Sequence, residues 1–562
     1  MIVSLHRQND KAAVKRLKKD TRFSIGLLKR NRTMKKFKTT VAMLLISIST
    51  TVSFTACSAD EDLNSQVSNS INAFDPTQDV QVIESGYMST EVTAEALTRA
   101  ANSELSPEDI KVTQLTEEQA LAFDANKDGK GGYSKTYMYR WVTLRYKSNT
   151  ANGTKQDLSE LVVWPYLFGD RSPKNLIIGC HSTITSNKER PSNFSEHGHM
   201  SEMNMLALFA HGLSKNALVI IPDYEGYGST VASPHPYCNR ELTAEQVVTG
   251  AKAGLNWFEN KITKMNADWA SVAIGYSQGG AVAAGVLRYC QQHHEDGLRL
   301  KGAVCGDGPY DPLATLKRYI SMNQLYMPVA SALLLKGMVD TDKDMKQLQC
   351  RYEDFVTKQF FQTGIFDMIQ SKQNTTDDIQ AALLQYSYQH GDEGGFTMMA
   401  ETSDGFKPYT PKHERDANGR TYSFKLKNGK GYNYCTVDQC FKPGVIAYFR
   451  DGKVTGDVPE AKLKALEKAL ARNALTAGDF KPDAGFTFFH SVGDEVVPYC
   501  NFESVRNTWG TSTIKSVTYR SHTTFHVGTG KPFFGSYCGN LVGEILNGKW
   551  QPCDKTVGGY LW

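Results

Sequence analysis

The sequence predicts an α/β fold: a mostly parallel sheet flanked by helices, interrupted by one large, largely helical insertion. Three observations predict it. Short apolar runs alternate with helical stretches, the pattern of buried parallel strands joined by crossovers. One such run ends in Gly275-Tyr276-Ser277-Gln278-Gly279 and leads straight into a helix. The alternation breaks only once, from about Tyr310 to Asp483, a span too long for a single crossover.

Composition sets the outer limits. The chain has 562 residues, 40% of them hydrophobic and 10% aromatic, so it can bury a large core. That excludes long disorder, collagen-like repeats and a polytopic membrane protein. The net charge of +4 is misleading, because residues 1–38 hold 13 Lys and Arg against 2 Asp. The remainder is net −7. An acidic body argues against a nucleic-acid partner.

The basic N-terminus reads as an address. Residues 1–33 read as upstream translated sequence ahead of Met34, and 34–56 as a signal peptide. Lys35, Lys36 and Lys38 form a basic region, and Thr39 to Ala56 is an uncharged run. Thr55-Ala56-Cys57 resembles a bacterial lipobox, which makes Cys57 the lipidated first residue of the mature chain. The acidic Asp60-Glu61-Asp62 that follows resembles the surface-export signal of Bacteroidota lipoproteins. The expected location is the cell envelope, lipid-anchored to the outer membrane and surface-exposed. The competing reading is an uncleaved signal anchor. Residues 57–90 are then expected to be a tether, 91–309 and 484–562 the two parts of the core, and 310–483 the insertion.

The elements follow in order. Glu91 to Phe123 reads as short helices, with a start at Ser106-Pro107-Glu108. Asp124 to Gly129 imitates the opening of a calcium loop, but Lys135 stands where a bidentate Glu is needed, so a polar turn is expected. Tyr137–Lys147 and Leu158–Leu167 read as a hairpin across a polar turn. Asn175–Gly179, Ala217–Ile221, Ser271–Ile274, Leu300–Cys305 and Gly485–His490 read as buried strands. Helices are expected from Thr243 to Lys261, with Thr243 and Gln246 as a capping box, and from Ser277 to Cys290. Within the insertion, Pro312–Gln359, Asp377–Gln389 and Pro459–Asn473 read as helical. Ser516–Arg520 is a last strand before a helix ending near Leu546.

Cysteine and histidine patterns add little. With Cys57 set aside, ten Cys remain of 11, and no CxxC pair suggests zinc. Cys435 and Cys440 are close enough in sequence to pair, but the sequence assigns no connectivity. His197-Gly198-His199 lacks a usable third metal ligand, and His293-His294 reads as a helix end.

The chemistry rests on G-x-S-x-G in its strand–turn–helix context. On that tight turn Ser277 Oγ projects at the carboxyl edge of the sheet. Gly275 and Gly279 are needed because side chains there would strike the neighbouring strand and helix. The Gln278 N–H then points from a helix N-terminus at the place where an oxyanion develops. A serine needs a base, and the base needs an orienting acid. Asp494, in His490-Ser-Val-Gly-Asp494-Glu495, is the expected acid, with Glu495 expected in solvent. His526, on a loop before the last helix, is the expected base, and His522 is the competitor. The second oxyanion donor is either Ser182, in Cys180-His181-Ser182-Thr183, or Asp223, in Pro222-Asp223-Tyr224-Glu225-Gly226-Tyr227-Gly228.

These pieces resemble α/β-hydrolases, and among them the secretory lipase family that includes fungal lipase A-type enzymes. The resemblance rests on the Asp223 stretch, the Ser277 turn, Gly306-Asp307-Gly308-Pro309-Tyr310-Asp311, the Asp494 loop and His526. It covers roughly residues 165–320 and 485–550, and the insertion is similar in placement to that family's lid. It implies an α/β-hydrolase fold, no cofactor, no metal, and an oxyanion contact from Asp223. Gln278 departs from the Gly common at that position, and His181-Ser182 is also unusual.

The expected function is a serine esterase or lipase-like acyl hydrolase acting through an acyl-enzyme on a small-molecule, lipid or glycan ester. Three alternatives stand beside it. One is a carbohydrate esterase removing acetyl or feruloyl groups, and another a prolyl-peptidase-like serine peptidase. The third is a non-catalytic surface protein on a hydrolase scaffold.

Overall fold

The computed structural model describes residues 80–92, 110–121, 135–165, 172–197, 217–402, 405–408, 434–520 and 526–558. Cys57, His199, His522, most of the calcium-loop imitation and the helix start at Ser106 lie outside the described residues.

Eleven strands form one sheet in the order β13-β12-β11-β8-β7-β5-β6-β4-β3-β1-β2. β5 (Asn175–Cys180), β6 (Ala217–Pro222), β7 (Ala270–Tyr276), β8 (Leu300–Gly306), β11 (Phe486–Ser491), β12 (Lys515–Arg520) and β13 (Cys553–Gly558) are parallel to one another. Both faces of β5, β6, β7, β8 and β11 are covered, which is why they read as apolar runs, whereas β13 at the sheet edge is largely exposed. Leu176 and Ile178 pack into one core and Ile177 into the other. Leu218 and Ile220 likewise oppose Val219 and Ile221. The first core is closed by helices α1 (Arg240–Lys261) and α2 (Gln278–His293).

The other edge is antiparallel. β3 (Lys135–Asn149) and β4 (Lys155–Pro165) form the expected hairpin, and β4 joins β6. Two expectations fail here. β1 (Gln81–Val92) starts inside the segment read as tether and pairs with β3, and β2 (Ile110–Leu115) pairs with β1. Among the described residues of the supposed helical stretch, only Glu117–Leu121 is helical. The strands are made by partners distant in sequence, which local propensity does not register. The cap of α1 also differs from expectation: Asn239 accepts from Leu242 N, one turn before Thr243.

Between β8 and β11 the chain leaves the sheet. Its helices include α3 (Pro312–Met322), α4 (Pro328–Thr341), α5 (Thr376–Gly394) and α6 (Glu460–Arg472), beside a small hairpin of β9 (Met399–Thr402) and β10 (Gly405–Pro408). They bury a core of their own, from Leu316 through Leu333, Phe360 and Leu383 to Leu466. The Cys435 and Cys440 thiols lie 3.2 Å apart within it. After α7 (Cys500–Trp509) and β12, a helical run opens with α8 (His526–Pro532) and closes with α9 (Gly539–Leu546). Among the described residues, no helix is long and apolar enough to cross a membrane.

Candidate active site

From β5 the chain passes to β6 on one side, and from its other neighbour β7 to β8 on the opposite side, so the connections diverge at the carboxyl ends of β5 and β7. Such a switch point opens a crevice where ligands of open α/β sheets bind. β7 delivers Ser277 to that edge. Ser277 takes φ 56° and ψ −126° and caps α2, a conformation that costs a non-glycine residue free energy. Its N–H is tied to Gly306 O at 2.9 Å. The flanking glycines are sterically required: a Cβ on Gly275 would lie 2.1 Å from Gly279 O, and one on Gly279 would lie 2.0 Å from Cys180 O.

The structure brings three of the expected residues into one hydrogen-bonded chain. Ser277 Oγ lies 2.8 Å from His526 Nε2, and His526 Nδ1 lies 2.5 Å from Asp494 Oδ2. Asp494 follows β11, and its Oδ1 accepts from the N–H groups of Val496 (2.9 Å) and Val497 (2.6 Å). With both oxygens engaged, the carboxylate has one orientation. His490, at the end of β11, donates from Nε2 to Val497 O at 3.0 Å and so braces the same loop. Burial keeps His490 neutral, lowering it to about 4. For His526 burial also opposes charge, but Asp494 beside it outweighs that and lifts it to about 9.

Glu495 corrects an expectation. It is buried, not in solvent, and its Oε2 accepts the His526 N–H at 3.0 Å. The loop turns both acidic side chains inward, one to the ring of His526 and one to its backbone. Burial and the neighbouring Asp494 push Glu495 up to about 7.

The oxyanion candidates separate. Gln278 is the first residue of α2, and its side chain is fixed from behind. The Gln278 amide donates to His235 Nε2 at 2.8 Å, while His235 Nδ1 donates to Glu225 O at 2.7 Å. A carbonyl only accepts, so the proton of His235 sits on Nδ1, and burial holds the ring neutral. The Gln at this position therefore has a built partner. Ser182 lies on the cavity wall beside Ser277, and its C=O accepts from His181 Nδ1 at 2.7 Å. Asp223 does not fit the role. Its N–H donates to Ser159 O at 2.9 Å, and its carboxylate accepts from Ser159 Oγ and from Ser192 N and Oγ. It is fully buried and ties the loop after β6 to β4 and to Ser192.

Asp307, His490 and Asp494 place ligand atoms within 4.8 Å of one another, the one such group among the described residues. It is poorly suited to a cation. Asp307 Oδ1 accepts from Ser491 N at 2.7 Å, its Oδ2 faces Tyr276 Oη at 2.6 Å, and both Asp494 oxygens are engaged. The set is a hydrogen-bond network around His526. Tyr276, Asp307 and His490 were not singled out as site residues in the sequence. Tyr276 lies beside Ser277 and Asp307 within a motif, but nothing local assigns them a role.

Ser277 and His526 open on a cavity of about 260 Å³ between core and insertion. The insertion contributes Tyr319, Met327, Ala330 and Leu334, and the core Val496, Val497 and Phe534. Polar groups are few, among them Ser182, Thr183, Thr376 and Lys531. Mostly apolar walls with a few convergent polar groups are the usual make-up of a small-molecule site.

A family model described as Secretory lipase matches residues 189–402. The chain is also similar to solved structures. One is a rice cell wall degrading esterase, LipA, from Xanthomonas oryzae, with 14% identity and a TM-score of 0.54 over 83% of this chain and 98% of that one. Another is a putative hydrolase from Legionella pneumophila, with 15% identity and a TM-score of 0.52 over 83% of this chain and 98% of that one. Comparison with curated proteins found no match. The fold is that of the α/β-hydrolases, and the family match supports a carboxylester hydrolase.

Proposed function

From an α/β-hydrolase fold and a secretory-lipase match over residues 189–402, we propose that this chain is a serine carboxylester hydrolase whose triad is Ser277, His526 and Asp494. The observation that carries the reading is the continuous chain from Ser277 Oγ through both nitrogens of His526 to Asp494. Asp494 keeps the proton of the neutral ring on Nδ1, so Nε2 offers a lone pair to the serine. As Ser277 Oγ attacks the ester carbonyl, its proton passes to His526 Nε2. The carbonyl oxygen takes up negative charge next to the N-terminus of α2. The N–H of Gln278 and the N–H of Ser182 are its proposed donors.

Collapse of the tetrahedral intermediate breaks the bond to the alcohol, which leaves with the proton from His526. Water then attacks the acyl-enzyme, giving its proton to the same nitrogen, and the acid is released as Ser277 Oγ recovers its hydrogen. Every proton moves between chain, substrate and water.

The apolar cavity supports an ester with an apolar acyl group, and the insertion from 310 to 483, which walls that cavity, is assigned the part of a lid. Residues 34–56 are assigned as a signal peptide and Cys57 as the lipid anchor to the outer membrane. Replacing Cys57 with Ala should release the enzyme from the envelope fraction, and unchanged membrane retention would remove the anchor. For the chemistry, Ser277→Ala should reduce hydrolysis of a p-nitrophenyl ester by about 10⁴-fold or more. Turnover equal to the parent would end the triad reading.

A further inference from the structure

His526 is gripped through its backbone as well as its ring. Its N–H donates to Glu495 Oε2 at 3.0 Å, and its C=O lies 2.5 Å from Tyr276 Oη. Tyr276 Oη also lies 2.6 Å from Asp307 Oδ2. A tyrosine hydroxyl has one hydrogen, and the backbone carbonyl can only accept. Tyr276 therefore donates to His526 O only if the hydrogen between Tyr276 and Asp307 belongs to Asp307. The other Asp307 oxygen accepts from Ser491 N at 2.7 Å, which is what a neutral carboxyl group can do with its second oxygen.

We propose that Tyr276 and Glu495 are positioning residues that hold the backbone of His526, and that Asp307 works as a neutral acid donating to Tyr276. The proposal rests on His526 being the base. Its logic is geometric. His526 is the first residue of α8, where its N–H has no intrahelical partner, so ring orientation by Asp494 leaves the backbone to be fixed by something else. The two grips come from opposite sides: β7 supplies Tyr276, and the loop after β11 supplies Glu495. Asp307 is fully buried, and burial first, then the charge of Asp494, pushes its carboxyl upward, in keeping with a retained proton. The ionisable groups facing His526 are Asp494, Glu495, Asp307, Tyr276 and His490, with Lys531 on its own helix.

The test is steady-state hydrolysis of a soluble p-nitrophenyl ester by the full chain across pH, with a thermal melt of each variant. Tyr276→Phe should lower kcat by about tenfold, the worth of one well-made hydrogen bond, with KM held within about twofold. The acidic limb of kcat/KM should stay in place, because no charge is lost. Asp307→Ala should lower kcat comparably, and Asp307→Asn should restore most of it, since the amide N–H can donate to Tyr276 as the neutral acid does. It too should leave the acidic limb where it is. Glu495→Gln should behave differently: it keeps an acceptor for the His526 N–H but removes a charge. The acidic limb should then move to lower pH by about one unit.

An Asp307→Asn limb that also moves to lower pH would overturn the neutral acid. Tyr276→Phe turnover equal to the parent would overturn the backbone grip. If instead Ser277→Ala turned over normally, the triad reading would fall, and this proposal with it. A dead Ser277→Ala with a fully active Tyr276→Phe would remove this proposal alone.

Discussion

Asp494→Asn is the substitution whose outcome the geometry determines most tightly. The side chain keeps its shape and loses only one acceptor. Two backbone N–H groups, from Val496 and Val497, face Oδ1 at 2.9 and 2.6 Å, so the amide oxygen must stay on that side. The new NH₂ group is then forced toward His526 Nδ1, where Oδ2 had been 2.5 Å away. An NH₂ group can only donate there, so Nδ1 must become the acceptor and the ring proton must move to Nε2. The nitrogen facing Ser277 Oγ at 2.8 Å then carries a hydrogen and cannot take the serine proton. Ser-His-Asp enzymes lose about 10⁴-fold in kcat from this tautomer error, equal to about 5 kcal/mol of barrier. The assay is kcat on a soluble p-nitrophenyl ester, with a thermal melt to show that the fold persists. An Asn variant within tenfold of the parent would refute the assignment of Asp494.

Three further outcomes follow from the same geometry. Gly279→Ala places a methyl 2.0 Å from Cys180 O, so overpacking of about 1–3 kcal/mol or more should lower Tm by several degrees and reduce activity, and an unchanged melt would contradict that close approach. The base must be neutral, and Asp494, against the effect of burial, lifts His526 to about 9; the acidic limb of kcat/KM should therefore lie above the ordinary histidine value of about 6.5, and a limb below it would contradict the buried pair. The same raised value means that the pair's stabilisation is complete below pH ~6.5 and is lost as pH rises toward 9. Leu334→Trp adds bulk to the cavity wall and should shift the preferred p-nitrophenyl ester to a shorter acyl chain; an unmoved chain-length profile would place the acyl group elsewhere.

Much of this site could be read locally, and the remainder depends on contacts distant in sequence. Ser277, Asp494 and His526 stand out because each follows a recognisable strand or opens a helix, so a few neighbouring residues mark it. Tyr276 and Asp307 carry no local mark of their role, since Tyr276 touches a carbonyl 250 positions away and Asp307 lies 31 positions from Tyr276. Glu495 looks like a solvent-facing neighbour of the acid until the loop is seen to turn it inward to His526. Asp223 stands as one of two oxyanion candidates in the sequence for the same kind of reason: its partners, Ser159 and Ser192, lie 64 and 31 positions away and engage the groups that an oxyanion would need. β1 falls in the segment that reads as a tether and β2 in the one that reads as helical, because their pairing, of β1 with β3 and of the two with each other, is set by contacts that the local sequence does not show. The inner parallel strands β5 to β8 and β11 are plain because burial on both faces writes an apolar run directly into the chain, whereas β13, largely exposed at the edge, carries no such run and is not read from the sequence.

The central claim is that Ser277 is a nucleophile activated by His526 and Asp494. The most direct measurement is covalent labelling of the intact protein with a fluorophosphonate, followed by peptide mass mapping. The account predicts one adduct, on the peptide containing Ser277, with labelling abolished in Ser277→Ala and strongly slowed in Asp494→Asn. An adduct on a different residue, or none on a folded protein, would contradict it.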